Sequence, residues 1–182
     1  MRQVGAAIGV IEFSSIARGI ETTDKMLKAA QVKLLKSSTV CPGKYITILH
    51  GNVDNIKSAM NTGQSYGGEY VVDTLEIHNI HEQLIPAIVL GNCVEHMEAV
   101  GVMEFYSVTS GILAADVAAK AAAVTLIEIK IGYAIGGKGV VLLTGNIEAV
   151  NTAVRAACID AEMLLQTSVI ARPQSSLLES LL

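Results

Sequence analysis

The chain has 182 residues, of which 51% are hydrophobic and 16% charged, with a net charge of -4 at pH 7. That composition excludes a disordered chain, and the acidic balance excludes a general binder of nucleic acid or of membrane surfaces. No apolar run approaches the ~18–20 residues of a membrane span, so the sequence reads as one folded domain or two small ones, with apolar surface left for other subunits.

Taken in order, Ala7 to Phe13 is a short apolar run that Glu12 interrupts, which reads as a first strand rather than a secretion signal. Ser15 to Ala30 carries Ile16, Ile20, Leu27 and Ala30 at helical spacing with charges between them, an amphipathic helix. Val32 to Ser38 alternates as a strand. Cys41-Pro42-Gly43-Lys44 is a loop, because Pro and Gly punctuate there. Tyr45 to His50 forms the next strand, and Asn52 can cap a helix running to about Asn61. Val71 to Ile80 is the last strand of this half.

The same order then recurs. AIGVIEFSSIARGI, from Ala7, matches AVGVMEFYSVTSGI, from Ala99, an offset of 99 − 7 = 92. From Ala7 to Lys36, 14 of 30 aligned positions are identical, including Gly9/Gly101, Glu12/Glu104, Asp24/Asp116 and Lys28/Lys120. After a two-residue slip Lys44 pairs with Lys138, and Gly51-Asn52 with Gly145-Asn146. Low complexity does not produce such a match; the chain is a tandem duplication. Its halves are residues 1–96 and 97–182, each ordered β-α-β-β-α-β, an α+β fold with helices on one side of an antiparallel sheet.

Few residues invite chemistry. Cys41, Cys93 and Cys158 form no paired framework and no CxxC, so a reducing cytoplasm is the expected setting. Cys41 lies in a Pro-Gly loop, and Ile135 stands at its aligned position, so the fold does not require the thiol. Cys93 and Cys158 read as structural. His78, His81 and Glu82 lack helical ligand spacing and read as surface or interface groups. The loop Ile135-Gly136-Gly137-Lys138 lacks the full phosphate-loop pattern, since Gly139 follows the lysine. No nucleophile, base or paired acids suggest an enzyme.

These halves resemble the shell-protein domain of bacterial microcompartments. Three features carry the resemblance: the opening strand AIGVIEF or AVGVMEF, the segment Asp24 to Val32 echoed by Asp116 to Val124, and the glycine-containing loop before Lys44 or Lys138. Val169-Ile170-Ala171-Arg172-Pro173 is similar to the family's closing segment. Two domains in one chain resemble the trimeric tandem class, and the Cys-Pro-Gly-Lys loop resembles the type found in propanediol-utilisation microcompartments.

The resemblance implies a homotrimer of six domains, a pseudohexamer that tiles with other shell proteins into the microcompartment shell in the cytoplasm. It places Cys41 to Lys44 and Ile135 to Lys138 at the ring centre, and Lys28, Lys120 and Arg172 at the edge between rings; Asn79 stands where the second half has Arg172. It also implies that three copies of Cys41 hold a 4Fe–4S cluster for electron transfer across the shell, with an encapsulated redox enzyme as a further partner. Two readings compete with the cluster: a plain metabolite pore, and a trimeric small-molecule sensor.

Overall fold

The computed structural model describes residues 6–89, 91–92, 94, 97–159, 161–174 and 176–177. These fall into two compact units. One runs up to Ile80 and also takes in Gly132–Gly137; the other comprises His81–Ile131 and the chain from Lys138 onward.

In the first unit the order is β1 (Ala6–Phe13), α1 (Ile16–Ala29), β2 (Lys33–Val40), β3 (Lys44–Asn52), α2 (Val53–Gly67), a 3-10 turn (Gly68–Tyr70) and β4 (Val71–His78). The strands lie in the order β2-β3-β1-β4, all antiparallel. Register is set by the apolar pattern of β1: Ala7 faces Gly51 and His78, and Phe13 faces Tyr45 and Val71. Ile11 and Phe13 from β1, Tyr45 and Leu49 from β3, Met26 from α1, and Ile56 and Met60 from α2 form one core. Both helices therefore lie on the same face of the sheet. Phe13 is fully buried, a transfer that contributes roughly 1.5–3 kcal/mol.

The second unit adds a linker helix, α3 (Leu84–Val89), and then repeats the plan as β5 (Ala99–Phe105), α4 (Val108–Ala121), β6 (Thr125–Ile131), β7 (Gly139–Gly145), α5 (Ile147–Cys158) and β8 (Leu164–Ala171). Its strand order is β6-β7-β5-β8. Duplicated residues perform duplicated tasks. Ser15 and Ser107 accept from the backbone of Arg18 and Ser110 to cap α1 and α4. Asn52 and Asn146 accept from Asn55 N and Ala149 N, both at 2.8 Å, to cap α2 and α5. Gly9 lets Met60 lie on the strand: a Cβ there would stand 2.7 Å from its Sδ. Gly101 does the same for Leu143, at 2.8 Å from Cδ1.

One expectation shifts: the helix expected to end near Asn61 continues to Gly67 as α2.

Candidate functional site

The turn between β2 and β3 begins with a cis Cys41–Pro42 bond and closes through Gly43 N donating to Val40 O at 3.0 Å. Gly43 has φ +95, the left-handed region that glycine enters without strain. The loop Gly132–Gly137 belongs to the same compact unit. Cys41 N donates to Gly132 O at 3.1 Å, and Gly137 N donates to the same oxygen at 3.2 Å. A Cβ on Gly137 would stand 2.4 Å from Cys41 O, so backbone meets backbone where no side chain fits. Thus the structure brings Cys41 and Gly137 together. Ile135 is half-buried beside them, whereas Pro42, Gly43 and Gly136 are exposed.

Behind each loop a lysine is tied to a glutamate. Lys44 Nζ lies 2.9 Å from Glu12 Oε2, and the Glu12 side chain is only 3% exposed. Lys138 Nζ lies 2.7 Å from Glu104 Oε1, with that side chain 31% exposed. In the sequence, Glu12 and Glu104 show only as one acid in each duplicated apolar strand. That signal is present in the sequence, but the partner of each acid can be named only once the strands are paired.

The residues expected at the edge lie elsewhere. Lys28 pairs with Asp24 at 2.6 Å on an exposed helix face. Lys120 pairs with Asp116, a buried carboxylate that also accepts from His81 N at 2.7 Å. Arg172 is exposed, with φ +47 and its N–H donating to Glu98 O at 2.8 Å. Asn79, its counterpart, has φ +55, so both halves turn left-handed after the last strand.

Of the remaining candidates, Cys158 lies 3.7 Å from Met103 Sδ, and burial pushes its thiol above the ordinary value. Cys93 lies outside the described residues. His78 stands 3.6 Å from Glu76. Among the described residues no three His, Cys, Asp or Glu side chains come together to hold a metal. That corrects the 4Fe–4S reading: an iron–sulfur cluster is normally held by about four thiolates, and among the described residues no further ligand stands beside Cys41. Electron transfer across the shell falls with it.

The sequence pattern of the BMC domain matches residues 7–80 and 99–173. The chain belongs to the BMC-domain family. Over 174 residues it is 44% identical to the bacterial microcompartment shell protein PduT of Citrobacter freundii, covering 94% of this chain and 95% of that one. The crystal structure of a microcompartment protein from Desulfitobacterium hafniense superimposes with a TM-score of 0.92 at 42% identity, over 96% of this chain and 98% of that one. The carboxysome shell protein CsoS1C of Hydrogenovibrio crunogenus matches 50% of this chain with 91% of its own length, at 34% identity. A relative half as long matches one half of a duplicated chain. This is a tandem BMC-domain shell protein, and its role is structural.

Proposed function

We propose that three copies close into a ring of six BMC domains within a shell facet, and that the ring centre passes small metabolites to enclosed enzymes. The loops Cys41 to Lys44 and Ile135 to Lys138 line the centre; Lys28, Lys120 and Arg172 meet neighbouring rings. The observation that carries the pore is the open space at the loop tips. A Cβ at Gly43 or Gly136 would meet nothing within 4 Å, although the same loops are tightly bonded at their base. A rigid rim of backbone groups facing open space suits passage of small polar solutes. Because Lys44 and Lys138 are each paired with a glutamate, the rim carries little net charge. The partners implied are enclosed enzymes whose substrate must cross. A redox enzyme among them has no support once the cluster is withdrawn.

Narrowing the centre tests this reading. Ile135→Trp protein, shown by sedimentation to remain trimeric, is assembled into shells around an enzyme that consumes a small polar substrate. Turnover inside intact shells is expected to fall several-fold. Unchanged turnover would exclude passage through this centre, and a wild-type monomer at micromolar protein would exclude the ring.

A further inference from the structure

The two halves differ in how their edge strands are finished. In the second unit the linker after β4 clasps β6. Gln83 Nε2 donates to Val124 O at 3.1 Å, and Leu126 N donates to Gln83 Oε1 at 2.7 Å. Asn92 Nδ2 donates to Leu126 O at 2.7 Å, and Asn92 N donates to Ile127 O, also at 2.7 Å. At the adjoining helix, His81 N donates to Asp116. The result is complete burial: Leu126 is 0% exposed and the Asp116 side chain 3%.

Among the described residues the first unit carries the same receptor without the clasp. Leu34 and Asp24 occupy the positions of Leu126 and Asp116 in the duplication. Leu34 is 44% exposed and the Asp24 side chain 54%. An edge strand left open with an exposed leucine is a docking edge.

The chain also carries a second copy of the clasp. His78 and Ala171 face the equivalent residues Ala7 and Ala99, which fixes an offset of 171 − 78 = 93 for the segments that leave β4 and β8. His81 then corresponds to Gln174, and Leu84 to Leu177. The backbone agrees: Leu84 N donates to His81 O at 3.0 Å, and Leu177 N donates to Gln174 O at 2.9 Å, the same turn. In sequence, Leu177-Leu178 and Leu181-Leu182 repeat the apolar spacing of Leu84-Ile85 and Ile88-Val89. Leu177 is 38% exposed in the single chain.

We infer that the segment bearing Gln174 and Leu177, which follows β8, docks on β2 and α1 of the next copy, as the linker docks on β6 and α4 within one chain. Gln174 N–H meets the Asp24 carboxylate, and Leu177 covers Leu34. Ser176 replaces Gln83 and cannot span to the strand as an amide does, so this clasp rests more on apolar burial than on edge hydrogen bonds. The arrangement is heterologous, head to tail, and closes only as a ring. It rests on the trimer proposed above and names the segment that seals its seam.

A disulfide tests the placement. The 182-residue protein carrying Asp24→Cys and Gln174→Cys is oxidised, with each single variant as control and the natural cysteines kept throughout. Covalent dimers and trimers are expected on a non-reducing gel from the double variant only. A trimer by sedimentation without interchain linkage beyond the single variants overturns the clasp and spares the ring. Monomeric wild-type protein overturns the ring itself. Leu177→Asp supplies a second measurement, since that side chain is exposed in the isolated chain. Trimer association should weaken at least tenfold, and unchanged association overturns the inference.

Discussion

The pair Lys44–Glu12 and its copy Lys138–Glu104 show how one duplicated contact comes to differ in strength. Both lysines are visible in the sequence as partners across the repeat. Their glutamates are visible only as oddities in apolar strands, because a cross-strand ion pair depends on register that no local pattern reveals. Burial then separates the copies. Glu12 is almost wholly enclosed, and its Oε1 has no hydrogen-bond partner among the described residues. Removing Lys44 strands a buried charge, whereas removing Lys138 leaves Glu104 partly in water. Lys44 is itself 23% exposed, so Lys44→Ala should cost about 2–4 kcal/mol, toward the lower end of the range for broken buried pairs. Lys138→Ala should cost about 1 kcal/mol or less, as exposed pairs do. Urea unfolding of the two variants measures the contrast, and equal losses would mean that burial of Glu12 is not what gives the pair its strength. Cys41 teaches the opposite lesson. Its Pro-Gly loop is legible, but a metal site requires a set of ligands brought together, and a lone thiol in a sequence does not supply that set.

Strands and helices are legible because the duplication states each of them twice. Asn52 and Asn146 announce two helix starts, and both caps form. The end of α2 is not legible at its true place, because polar residues and Gly63 follow Asn61. Gly63 is not a breaker but a contact: a Cβ there would stand 2.8 Å from Met26 Sδ, so the glycine lets α1 and α2 approach. Helix α3 escapes the sequence for a different reason. It is six residues long with Pro86 inside, too short for a periodic signal, although it buries Leu84, Ala87 and Ile88 and is tied to β6 by the flanking amides of Gln83 and Asn92. Gln83 is the centre of that attachment. Gln83→Ala removes one acceptor and one donor from the edge of β6, and leaving such groups unpaired costs about 1–3 kcal/mol. Hydrogen exchange at the Leu126 amide should accelerate, while Leu34 on β2 stays as it was. An unchanged Leu126 amide would show that the linker does not hold the edge.

For the whole molecule, the low charge fraction signals large interfaces, and membership of the shell-protein family accounts for them. In the proposed contact between rings the few charges matter. Lys28 reaches Asp24 across an exposed helix turn, a pair worth only about 0.2–1 kcal/mol to the fold, so its side chain can be removed without unfolding the chain. Its apolar stem can lie along a neighbouring ring while the ammonium seeks carbonyl oxygens. Lys120 differs, because it also neutralises the buried Asp116, which keeps His81 N–H as a partner after the lysine is lost. Lys120→Ala should therefore lower stability by roughly 1–3 kcal/mol without dissociating the trimer, and sedimentation of the double variant checks that first. Given an intact trimer, Lys28→Ala with Lys120→Ala should abolish or sharply reduce extended sheets under electron microscopy. Lys28→Ala alone should lose a smaller share, with little stability cost to confuse the result. Sheets of wild-type extent from the intact double-variant trimer would remove both lysines from the edge contact and leave Arg172 to be tested in their place.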